Sequence, residues 1–305
     1  MRQSPGCKGI WGDIRFTTHP LKECDYVVVL NVIPEPAVVF CPPENVWAVM
    51  QEPYIKGVFE WMVRGHSQYS KVFTHHVFSD DQRYIPSQPC LPWHVNRTFD
   101  ELTAATIPGK KAKTASWISS DMTLFPGHVK RMEFLRALKQ SLLETDFFGR
   151  GINFVEDKWD ALAPYKYSFA VENSSSKDYW TEKVGDCFLC FTLPIYYGCT
   201  NLEDYFPQES FIRINIENPG EALRIAEEAV AGKEWEKRLD AIAEARRLLL
   251  NKYQLFPFIS KRIKEDKGPH LPEELRLDAY RDRFFKRIKD GVYFIARWAF
   301  RRRLA

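Results

Sequence analysis

The sequence predicts an α/β protein built on parallel sheets, and two observations carry that prediction. The first half holds short β-branched runs separated by turn-forming residues: YVVVLNV (Tyr26 to Val32), AVVF (Ala37 to Phe40), VWAVM (Val46 to Met50) and the centre of YSKVFTHHVF (Tyr69 to Phe78). The second half holds a strand–helix–strand succession, YSFAV (Tyr167 to Val171), a helix through Phe191 and TLPIYYG (Thr192 to Gly198). Strands that alternate with helices pair in parallel, because each crossover must return the chain to the same end of the sheet.

The remaining elements follow from local pattern. TASWISS (Thr114 to Ser120) opens the second half as a strand, and a helix is expected over 127–143. Its apolar positions Val129, Met132, Leu135, Leu138 and Leu142 recur at spacings of three and four. A short helical piece is expected over 157–163. Asn218-Pro219-Gly220-Glu221 reads as a helix start with a capping box, and a long charged helix is expected from Lys233 to Tyr253. The polar stretch TIPGKKAKT, near residue 110, reads as a linker. The implied division is an N-terminal domain over 1–112, a second domain over 113–255 and a helical basic tail over 256–305.

Composition narrows the class. The 305 residues are 45% hydrophobic and 27% charged, a globular balance with room for two cores. Neither a run of eighteen apolar residues nor the apolar region of a secretory signal is present, so the expected location is cytoplasmic. The seven cysteines make no dense framework, and Cys187-x-x-Cys190 lacks the partner ligands a metal would need, so buried reduced thiols are expected. No His, Asp or Glu cluster has metal spacing, and an obligatory metal is not implied.

The stretch ENSSSKDYWTEK (Glu172 to Lys183) crowds hydrogen-bonding groups between two apolar segments. In a parallel sheet, ligands bind outside the carboxyl ends of strands, which is where this loop falls. It leads into a helix N-terminus, whose free N–H groups and dipole favour an anion. Lys183 puts a cation in a first turn, where the dipole disfavours one, and a diphosphate would supply its partner. Glu182 cannot serve phosphates; a carboxylate there would stabilise positive charge on a reacting carbon. The plainer reading of the same residues is a capped helix with Glu182 and Lys183 solvated.

Beyond these local readings, YKYSFAVENSSSKDYWTEKVGDCFLCFTLPIYYG (Tyr165 to Gly198) resembles the signature of glycosyltransferase family 10, the α-1,3/4-fucosyltransferases. YFPQESFI (Tyr205 to Ile212) is similar to a second family segment. The resemblance implies a GT-B architecture, two Rossmann-like domains facing across a cleft, with GDP-fucose in the C-terminal one and a glycan acceptor in the other. It implies inverting transfer of fucose, with a lipopolysaccharide or other surface glycan as the expected acceptor. Asn173 and Tyr179 match positions that contact the nucleotide end of the donor, and Ser174 is counted with them as donor-binding. Glu182 matches the carboxylate near the sugar, and Lys183 the phosphate-binding lysine. Arg131 in HVKRMEFLRAL matches an arginine that clamps the diphosphate, a role suited to a bidentate guanidinium; its alternative is an exposed helix arginine. Ser120 stands where the family often has Asn.

The same resemblance assigns the base to a glutamate of the first half, and Glu52 is its match, although Glu52 and Pro53 adjoin here without the family's intervening Ser. His75 and His76 are the alternatives, since an imidazole accepts a proton near neutral pH. The tail, 280–305, is basic: Arg276 to Arg303 holds ten Arg/Lys against three Asp in a chain of net charge +3. Its apolar stripe with flanking cations suits an anionic membrane surface, or a helix docked on the body. Nucleic acid is not an expected partner. Two further readings stay open, another GDP-deoxysugar donor and a catalytically silent binder of glycan or nucleotide.

Overall fold

The computed structural model describes residues 1–266 and 271–280. Two compact units account for them: residues 1–19 with 88–266, and residues 20–87 with 271–280. These boundaries differ from the 1–112, 113–255 and 256–305 division expected from the sequence. The first residues belong with the second half through specific hydrogen bonds. Arg2 donates from Nη2 to Trp93 O (2.7 Å), Phe99 N donates to Arg2 O (2.8 Å), and Gln254 Nε2 donates to Gln3 O (3.1 Å). A small hairpin in this segment pairs β1 (Ile10–Trp11) with β2 (Ile14–Arg15).

The smaller unit is laid out by β3 (Val27–Leu30), β4 (Ala37–Cys41), β5 (Val46–Val49), β6 (Lys71–Thr74) and β7 (Tyr84–Pro86). Strands β3, β5, β6 and β7 lie side by side in that order, all parallel, with Val29 opposite Ala48 and Ala48 opposite Val72. All four residues of β5 are buried, as a strand covered on both faces requires. The crossovers are loops and 3₁₀ turns; Trp61 and Met62, on one such turn, pack into the core with Met50 and Val72. Strand β4 departs from expectation. It is outside this sheet, and Val38 and Phe40 face solvent while Val39 and Cys41 are buried.

The larger unit begins with α1 (Phe99–Ala104), which the sequence reading omitted although Thr98 and Glu101 form a complete capping box. There follow β8 (Lys113–Ile118), α2 (Pro126–Gln140), β9 (Thr145–Phe148), β10 (Tyr165–Val171), α3 (Glu182–Leu189), β11 (Leu193–Tyr197) and β12 (Ile212–Arg213). The sheet order is β12-β11-β10-β8-β9, every pairing parallel, with β10 central. Register decides which helix covers which face. Phe169 lies opposite Trp117, and both rings meet Phe134 of α2 at centroid distances of 6.0 to 6.1 Å. The alternate residues Ser116 and Ser168, hydrogen-bonded at 3.0 Å, point to the other face, where Cys187 of α3 bonds Ser168. Each such large apolar side chain taken out of water stabilises the unit by about 1.5–3 kcal/mol.

Helix α2 keeps only part of its predicted stripe. Leu135 and Leu138 are buried, Val129 is exposed, and Leu142 lies beyond the helix and is fully exposed. The chain continues through α4 (Pro219–Ala231), α5 (Glu234–Lys237), α6 (Leu239–Leu248) and α7 (Leu255–Glu265). The single helix expected from Lys233 to Tyr253 is interrupted at Arg238 and ends in a π-helical turn, Leu249–Tyr253. Trp235 fixes the separate short helix, its Nε1 donating to Phe191 O (2.8 Å) and its N to Tyr167 Oη (3.0 Å). At Asn218 the helix starts as expected, but the capping box does not form. The Asn218 amide instead donates to Glu221 Oε2 (3.0 Å). In the smaller unit, β13 (Glu273–Leu277) pairs antiparallel with β4. The expected basic helix over 281–305 lies outside the described residues.

The stretch near residue 110 is part of the larger unit rather than a junction. Lys111 is buried, and its ammonium donates to Tyr165 O (2.8 Å), Cys190 O (2.7 Å) and Thr192 Oγ1 (2.7 Å). It ties the start of β8 to β10 and to the carbonyl end of α3. Lys111→Met, which keeps the stem and removes the donors, is expected to cost about 1–3 kcal/mol, the penalty of leaving buried acceptors unpaired. Urea unfolding of the two proteins measures it.

Candidate functional site

The loop Glu172 to Lys183 leaves the carboxyl end of β10 and enters α3, as the strand–helix–strand pattern requires. Most of its polar groups hold the loop itself. Glu172 N donates to Tyr197 O (2.9 Å), extending the ladder by one residue, while the Glu172 side chain is wholly out of solvent. Its carboxylate accepts from Thr181 N (2.8 Å) and Thr181 Oγ1 (2.8 and 2.9 Å), which draws the two ends of the loop together. Thr181 Oγ1 in turn accepts from Lys183 N (3.3 Å) and caps α3. In mid-loop, Asp178 takes a positive φ of 61° and is held by Asn201 and by Tyr205 Oη (2.7 Å). Gly198 leaves room for Glu172; with φ +150°, its Cβ would stand 2.4 Å from Glu172 Cγ.

Lys183 is not solvated. Its ammonium lies 3.2 Å from Glu172 Oε2 and 3.6 Å from Glu182 Oε1, and donates to Thr181 Oγ1 at 3.2 Å. Burial pushes this ammonium toward neutrality, but the two carboxylates outweigh burial and hold it above its usual range. An anionic partner is thus already present, Glu172, which the sequence reading did not single out. For Glu172 the balance runs the other way: burial raises its carboxyl, and Lys183 only partly offsets that.

Glu182 sits among three further groups. Lys158 Nζ lies 3.5 Å from Glu182 Oε1 and 3.0 Å from Asp186 Oδ2, and His94 Nδ1 lies 3.7 Å from Glu182 Oε1. Burial favours the neutral acid, yet Lys183, Lys158 and His94 overcome it and hold the Glu182 carboxyl far below the ordinary range. Asp186, buried and raised by burial, also accepts from the backbone N of His94 (2.9 Å). The sequence carried one sign of this cluster. Glu182 and Asp186 stand four apart on α3, where like charges repel unless a cation bridges them.

Arg131, on α2, is 3% exposed and not a surface arginine. Its Nη1 donates to Asn173 Oδ1 and its Nη2 to Ser120 O (3.4 Å). Burial lowers its pKa, while Glu172 and Glu182 support the charge, which places Arg131 beside the Lys183 cluster. Gly127 makes that approach possible: a Cβ there would lie 1.7 Å from the carbonyl oxygen of Asn173. Arg131, Asn173, Glu182 and Lys183 are therefore brought together at the carboxyl end of the sheet. Ser174 is half-buried in the same loop, and Tyr179 is buried beneath it.

The base candidates belong to the smaller unit. Glu52 follows β5 and is exposed; His75 and His76 follow β6 and are half-buried. His76 stacks on Tyr54 at 4.1 Å and 14°, and burial lowers its pKa. Among the described residues no group of three or more His, Cys, Asp or Glu could hold a metal ion.

Comparison with known proteins places these residues in a family context. The description "glycosyltransferase family 10 (fucosyltransferase) C-term" matches residues 108–223, which contain Arg131, Glu172, Asn173, Glu182 and Lys183. The family resemblance read from the sequence holds over that segment. A fucosyltransferase-like protein of Arabidopsis thaliana is 34% identical over 88 residues, 28% of this chain and 17% of that protein. The 4-galactosyl-N-acetylglucosaminide 3-alpha-L-fucosyltransferase 9 of Rattus norvegicus is 30% identical over 138 residues, 42% of this chain and 37% of that protein. The matches thus span well under half of these relatives' lengths. A crystal structure of alpha1,3-fucosyltransferase with GDP is similar at a TM-score of 0.47 and 17% identity, covering 74% of this chain and 76% of that one.

Because Glu172 is the nearer of two counter-charges of Lys183 and bonds Thr181, Glu172→Gln is expected to destabilise the larger unit by about 1–3 kcal/mol, the worth of charge-assisted hydrogen bonds lost while Glu182 still faces the ammonium. Thermal unfolding followed by Trp fluorescence tests this; an unchanged midpoint would show that the pair is not needed.

Proposed function

We propose that this chain is a glycosyltransferase that moves fucose from GDP-fucose to a hydroxyl of a glycan acceptor with inversion at the anomeric carbon. One observation carries the reading. Two cations, the buried Arg131 and the half-buried Lys183, share the carboxyl end of a parallel sheet with the buried carboxylate of Glu172, inside the segment that matches the fucosyltransferase family. Parallel sheets bind ligands at that end, and a diphosphate is the anion that an arginine and a lysine side by side would hold. Asn173, Ser174 and Tyr179 are proposed to contact the nucleotide end of the donor.

In this mechanism the acceptor oxygen attacks the anomeric carbon as the bond from that carbon to the diphosphate oxygen breaks. The electron pair leaves with the diphosphate, where Arg131 and Lys183 stabilise it. Glu182, kept ionised by Lys183, Lys158 and His94, supplies negative charge to the cation-like sugar carbon. Glu172 holds Lys183 in place and acts through it. Glu52 is proposed as the base that takes the acceptor proton.

A surface glycan such as lipopolysaccharide is the proposed acceptor, reached from the cytoplasmic side, with the basic segment 280–305 meeting an anionic membrane. Residues 281–305 lie outside those described, and among the described residues no helix is long and apolar enough to cross a membrane.

Titration calorimetry with GDP tests the donor site. Lys183→Ala is expected to bind about ten- to a hundredfold more weakly than the wild type, the worth of one charge-assisted hydrogen bond. Equal affinity would remove Lys183 from the site. For the base, Glu52→Gln is expected to keep GDP affinity and lose about 10²- to 10⁴-fold in turnover, the range for general base catalysis. Turnover retained in that variant would exclude Glu52.

A further inference from the structure

Helix α2 presents two buried nitrogens to the cationic cluster with nothing to bond. His128 is 6% exposed and its Nδ1 is buried without a partner among the described residues; Arg131, one turn on, is 3% exposed and its Nε is likewise unpartnered. Positions three apart on a helix lie on one face. Both belong to the amino-terminal half of α2, whose end is seated against the Asn173 carbonyl through Gly127. Buried polar atoms in native proteins are bonded in the great majority of cases, so two such atoms on one face point to a group that belongs between them.

We propose that His128 is an additional donor-site residue of this chain, which binds the diphosphate of the sugar nucleotide beside Arg131 and Lys183 and becomes protonated when that ligand enters. The proposal rests on the donor site described above and adds to it a residue and a proton. Its geometric basis is the pair itself: a buried imidazole nitrogen and, three residues on along the same face of α2, a buried guanidinium nitrogen, both without partners among the described residues.

The electrostatics agree. Burial, then the cations Arg131 on the same helix and Lys183 on α3, push the His128 imidazolium down to about 4. Glu172 at the end of β10 and Glu182 on α3 lie next to those cations and offset part of their effect, but burial and the cations prevail and His128 is neutral in the free protein. A diphosphate reverses the balance. It brings negative charge against Arg131 and Lys183 and accepts a hydrogen bond from Nδ1–H. The imidazolium, which donates from both ring nitrogens, then becomes the favoured form. The balance is one proton from solvent added to the imidazole per ligand bound, with no covalent bond made or broken.

The test uses GDP-fucose, whose diphosphate has no ionisation between pH 5 and 8, so that protons taken up come from the protein. Calorimetric titrations at pH 6 in two buffers of different ionisation enthalpy count them. The variants are His128→Asn, which keeps a non-titrating donor near the Nδ1 position, and His128→Leu, which removes it. The wild type is expected to take up protons that His128→Asn does not, and to gain affinity several-fold from pH 8 to pH 6, while His128→Asn stays flat. His128→Leu is expected to bind more weakly than either at every pH. Proton uptake equal in wild type and His128→Asn, or full affinity in His128→Leu, overturns the role of His128 while leaving the donor site standing. A wild type that binds neither GDP-fucose nor GDP overturns the donor site and this inference together. His128→Asn, polar and close in volume, remains informative where His128→Leu fails to fold.

Discussion

Glu172 and Lys183 form the interaction on which the rest of this site depends. Taking a carboxylate and an ammonium out of water costs several kcal/mol for each ion, and only close pairing with further hydrogen bonds offsets that. The pair stands at 3.2 Å, and Thr181 fills the remaining acceptor positions of the carboxylate through its N–H and hydroxyl. Three features of the fold answer to this requirement. Strand β10 ends one residue before the carboxylate, α3 begins one residue after Thr181, which bonds it, and Gly198 vacates the space its side chain needs.

From that pair a network of alternating sign extends in both directions. Glu182 lies between Lys183 and Lys158, Lys158 reaches Asp186, and Asp186 fixes the backbone of His94. On the other side, Arg131 bonds Asn173, the residue after Glu172. Three cations and three carboxylates thus share a largely buried volume at the mouth of the larger sheet, with Lys158 and Lys183 partly exposed. A balanced cluster of this kind folds without a ligand, because no charge in it is unopposed. It also keeps each head group immobile, and fixed dipoles and charges act on a developing charge with little reorganisation.

Several elements of this arrangement could be read from the chain directly. The apolar runs that became β3, β5, β8, β10 and β11 are dictated by β-branched and aromatic content, and the start of α3 by Thr181 ahead of Glu182. Other elements were misread, each for a physical reason. AVVF has the composition of a buried strand, yet β4 forms a separate two-stranded sheet with β13 and leaves Val38 and Phe40 exposed; that partner is more than two hundred residues distant in sequence, beyond the reach of local pattern. The charged segment after Lys233 has the composition of one helix, yet Trp235 needs two hydrogen bonds from different elements and breaks it. TIPGKKAKT looks like a linker because it is polar, yet Lys111 finds three oxygen acceptors inside the larger unit.

Residue identity alone determined the class of fold, the family resemblance over its conserved-looking signature, and the presence of Arg131, Asn173, Glu182 and Lys183 as a set. The class of fold follows from helix and strand periods along one chain, and the set of four residues follows from the resemblance of their segments to the family. What only the tertiary structure decided is the partnership of each charge. Glu172, Lys158, Asp186, His94 and His128 come from two helices, a 3₁₀ turn and two loops, and nothing in their sequence spacing says that they meet. Their roles follow from burial, since a charge in low dielectric is defined by its neighbours, and neighbours at the end of a parallel sheet are set by strand order.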